Sequence, residues 1–323
     1  MRTNSVAATI VARMIGLVFA GVLAMPSGGF AQDALIPLPG FVRGLGIEGS
    51  GQVLVGHSKL WRLNADDSID AATVASTAAG SMIGVANDGT VFVQNSFRVL
   101  RINWELGLNL GLDSEFPGST RGFLLQPDGK VVVVTRTGIA RYHADGTVDP
   151  SFEAEPFSAP VPVPGPSYAR LALQEDGGIL VAGLAGGLVQ RYQMNGRIDR
   201  GFRAPPIRGV HSMAAQADGK IVIGGWFAEV GEEARNGLVR LDADGTLDPE
   251  FDPTVEYRMD IDALALQANG KLMVAAMFRN NEQAWTGIAR LNPDGTFDPA
   301  FPPRPLVSPN YSGIPLALEE NGA

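Results

Sequence analysis

Cysteine is absent from the 323 residues, so no disulfide framework and no thiolate metal site can form in any compartment. Charged residues are sparse, at 18%, and the 34 acidic ones outnumber the 25 basic ones for a net −9. With no basic stripe to offset it, that balance argues against phosphate-backbone binding, and no nucleic-acid partner is expected. Long apolar runs are also missing. The longest, MIGLVFAGVLAM at 14–25, reaches about 18 Å as helix against a hydrocarbon core of roughly 30 Å. No GxSxG or HExxH pattern occurs. The sequence carries no signature that demands a cofactor, so none is expected.

Glycine (40) and proline (22) are plentiful. They punctuate apolar segments, which indicates many turns instead of disorder. Residues 1–31 stand apart: Arg2 and Arg13 are their only charges, an apolar run follows, and small residues at Gly29 and Ala31 precede Gln32. That pattern predicts a secretory signal over 1–31, cleaved after Ala31, with an uncleaved anchor as the alternative. Residues 32–40 form a lead-in.

Residues 41–323 are one unit repeated. LLQPDGKVVVV (124–134), ALQEDGGILVA (172–182), AAQADGKIVIG (214–224) and ALQANGKLMVA (265–275) align, with weaker copies at 46–56 and 84–94 and a half copy at 317–323. Their turn glycines are 38 to 52 residues apart. Each unit has a second half: RLNADDSID (62–70), RYHADGTVDPSF (141–152), RYQMNGRIDRGF (191–202), RLDADGTLDPEF (240–251) and RLNPDGTFDPAF (290–301). The order apolar strand, turn, apolar strand, loop, strand, turn, short strand predicts a four-stranded antiparallel meander. Runs such as 131–134 are apolar at successive positions, the mark of a sheet covered on both faces. Sheets stacked around an axis satisfy that. The predicted fold is an all-β propeller of four-stranded antiparallel blades, six complete and a partial seventh truncated at 313–323.

The segments Gln126-Pro127-Asp128-Gly129-Lys130 and Arg141…Asp145-Gly146-Thr147-Val148-Asp149-Pro150-Ser151-Phe152 resemble the bacterial delta-60 repeat family, and 216–251 is the fullest match. The first two copies depart from the pattern, with Asp66-Asp67 for Asp-Gly and an insertion at 104–111. The resemblance implies an exported or surface-exposed propeller. It implies no activity and no catalytic residues.

Several motifs reduce to turns. Asp242-x-Asp244-Gly245 lacks the calcium-loop ligands at positions 1 and 12, where Arg240 and Phe251 stand, so a three-residue hairpin loop accounts for it. Gly44-x-Gly46-x-x-Gly49 leads into a strand instead of a helix and is no dinucleotide fingerprint. The Gly-Lys pairs at 129, 219 and 270 are not phosphate loops, and their lysines are expected to close hairpins opposite Gln126, Gln216 and Gln267. His57, His143 and His211 fall at non-equivalent positions, so no metal site is expected.

Arg62/Asp70, Arg141/Asp149, Arg191/Asp199, Arg240/Asp248 and Arg290/Asp298 are each eight apart. Across a three-residue loop that spacing predicts a cross-strand ion pair per blade, with anion binding as the alternative. The loops between second and third strands lengthen at 225–237 and 277–287. They hold Trp226, Phe227, Arg235, Asn236, Arg279, Asn280, Asn281 and Trp285, a recognition-type mixture and the candidate ligand-binding set. Packing at the blade edge is the other reading for Trp226 and Phe227. The expected function is an exported, non-enzymatic binding or interaction module, monomeric, for an unknown protein or glycan ligand. The alternative is an extracellular hydrolase or lyase with an acidic site at the central channel.

Overall fold

The computed structural model describes residues 22–25, 34–37, 44–47, 52–56, 60–63, 82–95, 98–103, 108–109, 120–135, 138–155, 157, 168–251, 253, 257–280 and 283–305. Among these residues every regular element but one is a strand. β1 (Val22–Met25) pairs with β2 (Ala34–Pro37). β3 (Gly44–Ile47), β4 (Val53–Gly56) and β5 (Leu60–Leu63) make the next sheet. A four-stranded sheet follows, with β6 (Met82–Val85), β7 (Val91–Asn95), β8 (Arg98–Asn103) and β9 (Leu108–Asn109). β10 (Gly122–Leu125), β11 (Val131–Val134) and β12 (Ile139–Tyr142) form a third meander. A fourth contains β13 (Arg170–Leu173), β14 (Ile179–Ala182) and β15 (Gln190–Tyr192), with a short 3₁₀ turn at Ala185–Gly187.

In the fifth, β16 (Val210–Ala215) and β17 (Ile221–Gly225) are followed by a separate small hairpin, β18 (Glu229–Val230) with β19 (Glu233–Ala234), before β20 (Leu238–Leu241) joins β17. The sixth holds β21 (Arg258–Leu266), β22 (Leu272–Arg279), β23 (Ala284–Leu291) and β24 (Arg304–Pro305). The sheets therefore have two to four strands. Where the sequence predicts a fourth strand after each outer turn, the third strand meets only a single bridge: Tyr142 with Val148, Tyr192 with Ile198, Leu241 with Leu247 and Leu291 with Phe297.

First strands pack side by side in chain order, β3 on β6, β6 on β10, β10 on β13, β13 on β16 and β16 on β21. The continuous apolar runs explain how the sheets stack. Val131 and Val133 pack with Phe92 and Val99 of the preceding sheet, while Val132 and Val134 pack with Ile179 and Val181 of the following one. Ile221 and Ile223 likewise face Leu180 and Ala182, and Val222 faces Ile261 and Val274. Period-two geometry sends alternate residues to opposite faces, so only a strand sandwiched between two sheets needs every position apolar. Each fully buried Val stabilises the stack by about 1.5–2 kcal/mol.

The outer turns show why the motif needs glycine. Asp242 N–H donates to Thr246 O at 2.8 Å, and Gly245, with φ of 93°, donates to Asp242 O at 2.8 Å. That leaves a three-residue loop whose last position is left-handed. No helix among the described residues is long and apolar enough to cross a membrane.

The sixth sheet corrects one boundary. The lengthened loop expected at 277–287 is mostly strand: β22 runs to Arg279 and β23 begins at Ala284, with Phe278 paired to Trp285. Gly287, taken as the loop's end, sits inside β23, where a Cβ would lie 2.3 Å from Arg304 O. Its absence of side chain lets β24 approach.

Candidate functional site

Each meander has two ends. The Gln-x-Asp-Gly and outer Asp-Gly turns lie at one, here the turn face. The starts of the first strands and the connections between second and third strands lie at the other, the loop face.

On the turn face the recurring Arg and Asp meet directly. The Asp149, Asp199, Asp248 and Asp298 amides donate to the carbonyls of Arg141, Arg191, Arg240 and Arg290 at 2.9–3.0 Å. The four Arg Nε atoms donate back to the carboxylates at 2.8, 2.8, 2.6 and 2.6 Å. Each carboxylate also accepts the N–H two residues on, from Ser151, Gly201, Glu250 and Ala300. Each guanidinium lies over the closing aromatic, Arg141 on Phe152, Arg191 on Phe202, Arg240 on Phe251 and Arg290 on Phe301, at 4.6–5.2 Å. In the first repeat Arg62 Nη2 donates to Gln52 Oε1 at 2.5 Å, and Asp70 lies outside the described residues.

Two parts of this unit escape sequence reasoning. The lysines do close the inner hairpins through their carbonyls, as Gln126, Gln216 and Gln267 donate to Lys130, Lys220 and Lys271 O at 2.8 Å. Their ammonium groups, however, reach the recurring carboxylates: Lys130 to Asp149 at 3.2 Å, Lys220 to Asp248 at 2.7 Å and Lys271 to Asp298 at 2.8 Å. The fourth unit has Gly178 instead, and its Asp199 side chain is 23% exposed against 2–4% for the others. The second part is a tie to the next sheet. Arg141 Nη1 donates to Met194 O at 2.9 Å, Arg191 Nη1 to Ala243 O at 2.6 Å and Arg240 Nη1 to Pro293 O at 2.5 Å. The acceptor is always the residue before the outer Asn-Gly or Asp-Gly, so each unit latches onto its successor.

Ionisation follows the geometry. Ser151, Lys130 and Arg141 hold the Asp149 carboxyl far below the usual range against the opposing cost of burial. Burial also raises Asp248, yet Lys220, the Glu250 N–H and Arg240 outweigh it and hold it at about 2. Lys271, the Ala300 N–H and Arg290 hold Asp298 down in the same way. With three or four donors on each carboxylate, these groups are built to stay charged and fixed.

The loop face is irregular. β16 is bulged between Val210 and Ser212, and β21 between Ile261 and Ala263, which makes His211 and Asp262 the extra residues. They are equivalent, each five before the turn glutamine of its repeat. Both bulged side chains converge on Trp226. The His211 ring stacks on the indole at 4.3 Å between centroids with an interplanar angle of 19°, and Trp226 Nε1 donates to Asp262 Oδ1 at 3.1 Å. Bulges re-aim side chains next to functional sites, and here two neighbouring ones hold a Trp that remains 48% exposed. Behind it, Arg170 Nε donates to His211 O and Leu264 N–H donates to Ser212 Oγ at 2.9 Å, joining three successive first strands. Burial, with the Arg170 charge, pushes the His211 imidazole down to about 4, so it is neutral at ordinary pH. Arg279 Nη2 pairs with Asp260 at 2.8 Å and Arg258 approaches the same carboxylate at 3.7 Å.

The predicted ligand-binding set is divided by this arrangement. Trp226 and Arg279 are exposed on the loop face. Phe227 is buried in the core between the fourth and fifth sheets. Arg235 pairs with Glu233 at 2.5 Å and its side chain is 10% exposed. Asn236 is half-buried and its carbonyl accepts from Met259 N at 3.4 Å. Asn280 Oδ1 accepts the Gln283 N–H at 2.7 Å at the β22–β23 tip. Trp285 stacks on Phe278 at 5.8 Å and meets Tyr257 edge-on at 5.0 Å. Asn281 and His57 lie outside the described residues. His143 is half-buried in an outer hairpin. Among the described residues, no group of three His, Cys, Asp or Glu could hold a metal.

A family model described as a domain of unknown function (DUF5122) beta-propeller matches residues 126–152, 216–251 and 267–301. These segments are β-propeller repeats, and the protein has an all-β, propeller-like fold. Virginiamycin B lyase from Staphylococcus aureus superposes with a TM-score of 0.60 at 18% identity, covering 83% of this chain and 85% of its own. The extracellular domain of the hybrid two component system BT3049 from B. thetaiotaomicron gives 0.60 at 13% identity, over 87% of this chain and 37% of that one. The WD40 beta propeller domain of Doa1 gives 0.56 at 14%, over 82% and 88%. At such identities the likeness is one of fold. A search of the curated proteins finds no match.

Proposed function

We propose that this chain is a six-bladed propeller of the delta-60 repeat type, exported by removal of residues 1–31, that acts as a monomeric, non-enzymatic binding module. The partial seventh repeat falls at 313–323, outside the described residues. The observation that carries the reading is the contrast at Trp226: where the turn-face units pair their charges in one repeated arrangement, two bulges here hold a single aromatic ring that stays half exposed. Among the described residues, every carboxylate with a displaced pKa is displaced downward by hydrogen bonds or cations. Such groups stay ionised and make poor general acids, which supports binding over hydrolysis. Resemblance to extracellular domains of sensor proteins supports export.

Export has a structural corollary, because cleavage after Ala31 would keep β2 and remove β1. The test is secreted expression with N-terminal sequencing, followed by incubation of the protein with glycan and protein-partner arrays. The expected outcome is an N-terminus at Gln32 and a ligand recovered chemically unchanged. A start at Met1 would overturn export, and a ligand converted to product would overturn the non-enzymatic reading.

A further inference from the structure

We infer that Trp226 is the stacking platform of a site for a neutral saccharide. The inference rests on reading the loop face as the binding surface and adds the class of ligand. His211 covers one face of the indole and Asp262 ties down its N–H edge. The exposed remainder of the ring, 48% of the residue, is thus rigid before any ligand arrives. A ligand that stacks there does not have to order the side chain first, which removes one of the usual costs of binding. Tryptophan fixed in this way offers a flat, electron-rich surface with a negative quadrupole face. The ligand groups that match such a face are polarised C–H bonds, planar rings and cations.

The surrounding polar groups choose among these. Asp260 is already committed to Arg279 and Arg258, and it lies near enough to His211 to act on its titration. Arg170 sits behind His211, with its guanidinium held against the His211 carbonyl. Near the platform the Asp260 charge is thus met by two arginines, the Asp262 carboxylate accepts the indole N–H, and the Arg170 guanidinium is held by a backbone carbonyl. An anion would have to displace Asp260 from its arginines, and a cation would have to displace Arg279 or Arg258 from Asp260. A purely apolar ring would leave the carboxylates and guanidinium groups without new partners as they lose water. A pyranose avoids all three costs. Its axial C–H face stacks on the indole, and its hydroxyls, each both donor and acceptor, bridge a carboxylate and an arginine without breaking the pair. The chemistry identified is that of a neutral oligosaccharide.

The test is calorimetric titration of the full chain with cellopentaose, maltoheptaose and triacetylchitotriose, with intrinsic tryptophan emission followed in parallel. The expected result is binding of at least one probe with a change in Trp226 emission that is missing in Trp226→Phe. Trp226→Ala should weaken that probe at least tenfold, and Asp262→Asn should weaken it less. Thermal unfolding of both variants controls for folding. No heat with any of the three probes, or binding unchanged in Trp226→Ala, overturns the saccharide site. If a protein ligand from the array binds and depends on Trp226 while the sugars do not, the loop-face reading stands and the saccharide class falls. If sugars bind independently of Trp226, the site lies elsewhere on the propeller.

Discussion

The turn face and the loop face are made by the same repeats yet follow opposite rules. On the turn face four successive units place Arg, Asp and a closing Phe in the same arrangement, and three of them add a Lys. Each of those units but the last also donates from Arg Nη1 to its neighbour's outer turn. On the loop face the described units differ in their side chains, even where β16 and β21 share the position of a bulge. His211, Trp226 and Asp262 have no counterparts that form the same cluster among the described residues, and the hairpin β18–β19 occurs in one unit alone. Repetition marks what every blade must do, which is to hold its register and its neighbour. Departure from repetition marks what the protein does once.

This contrast breaks first on stability. Asp248 is 2% exposed and receives Arg240 and Lys220, so Asp248→Ala strands the buried Arg240 guanidinium and leaves Lys220 with Asp242 alone. Removing one partner of a buried pair costs about 3–5 kcal/mol. Asp199 is more exposed and lacks the Lys, and Asp199→Ala is expected to cost roughly 1 kcal/mol. Trp226→Ala should cost less than either, since half of the ring is already in water. Urea unfolding of the three variants checks the order, and a loop-face variant as damaging as Asp248→Ala would dissolve the distinction. In the cycle with Arg240→Leu, the double variant should cost less than the sum of the singles.

Acid separates the two faces by pH. Asp248 titrates at about 2 in the folded protein and near 3.9 when unfolded. A depressed carboxyl contributes stability that is complete above the unfolded value and is lost as pH falls through the folded one. The window is therefore pH 4 down to 2, and Asp248 alone loses about 2 kcal/mol across it. Asp149 and Asp298, held down in the same way, add to the loss. Urea midpoints measured from pH 5 to pH 2 should fall steeply below 4, and less steeply in Lys220→Met. A flat profile in that range would mean that the latches are not ionised pairs.

Much of this was legible in the residues, and the limits are physical. The run Val131–Val134 identifies a strand covered on both sides because no one-sided sheet tolerates it. The eight-residue Arg–Asp spacing survives because a hairpin's register depends only on its own turn. The lysine was missed because it reaches across a variable loop: Lys130 precedes Asp149 by 19 residues, whereas Lys220 precedes Asp248 by 28. One signal was available, since among the four later units the one with Gly178 alone breaks the Gly-Lys rule. The two bulges were invisible in a different sense. At the β16 bulge, His211 and Ser212 bond Arg170 and Leu264 from the neighbouring sheets, contacts that no local pattern encodes. Taking 277–287 as a loop failed because Gly287, placed at its end, serves close strand approach inside β23.

The finest test of the comparison is the His211–Trp226 stack, whose pH window differs from that of the latches. His211 titrates at about 4, well below the ordinary 6.5, because burial and Arg170 disfavour its charged form. A base with a depressed folded pKa costs nothing above its unfolded value, where both states are neutral. As pH falls from 6.5 to 4 the unfolded chain takes up the proton and the folded one resists, so stability declines through that interval and levels off below it. The turn-face carboxylates remain ionised over nearly all of this range, so the decline reports the loop face. When the imidazole finally protonates it becomes a cation stacked on an indole, and an imidazolium quenches tryptophan emission strongly. Emission followed from pH 7 to pH 3 should therefore show a step near 4 that disappears in His211→Phe, with the native sheet signal retained. A step near 6.5 would show that His211 is open to water and that its stack on Trp226 is not the rigid backing on which the loop face depends.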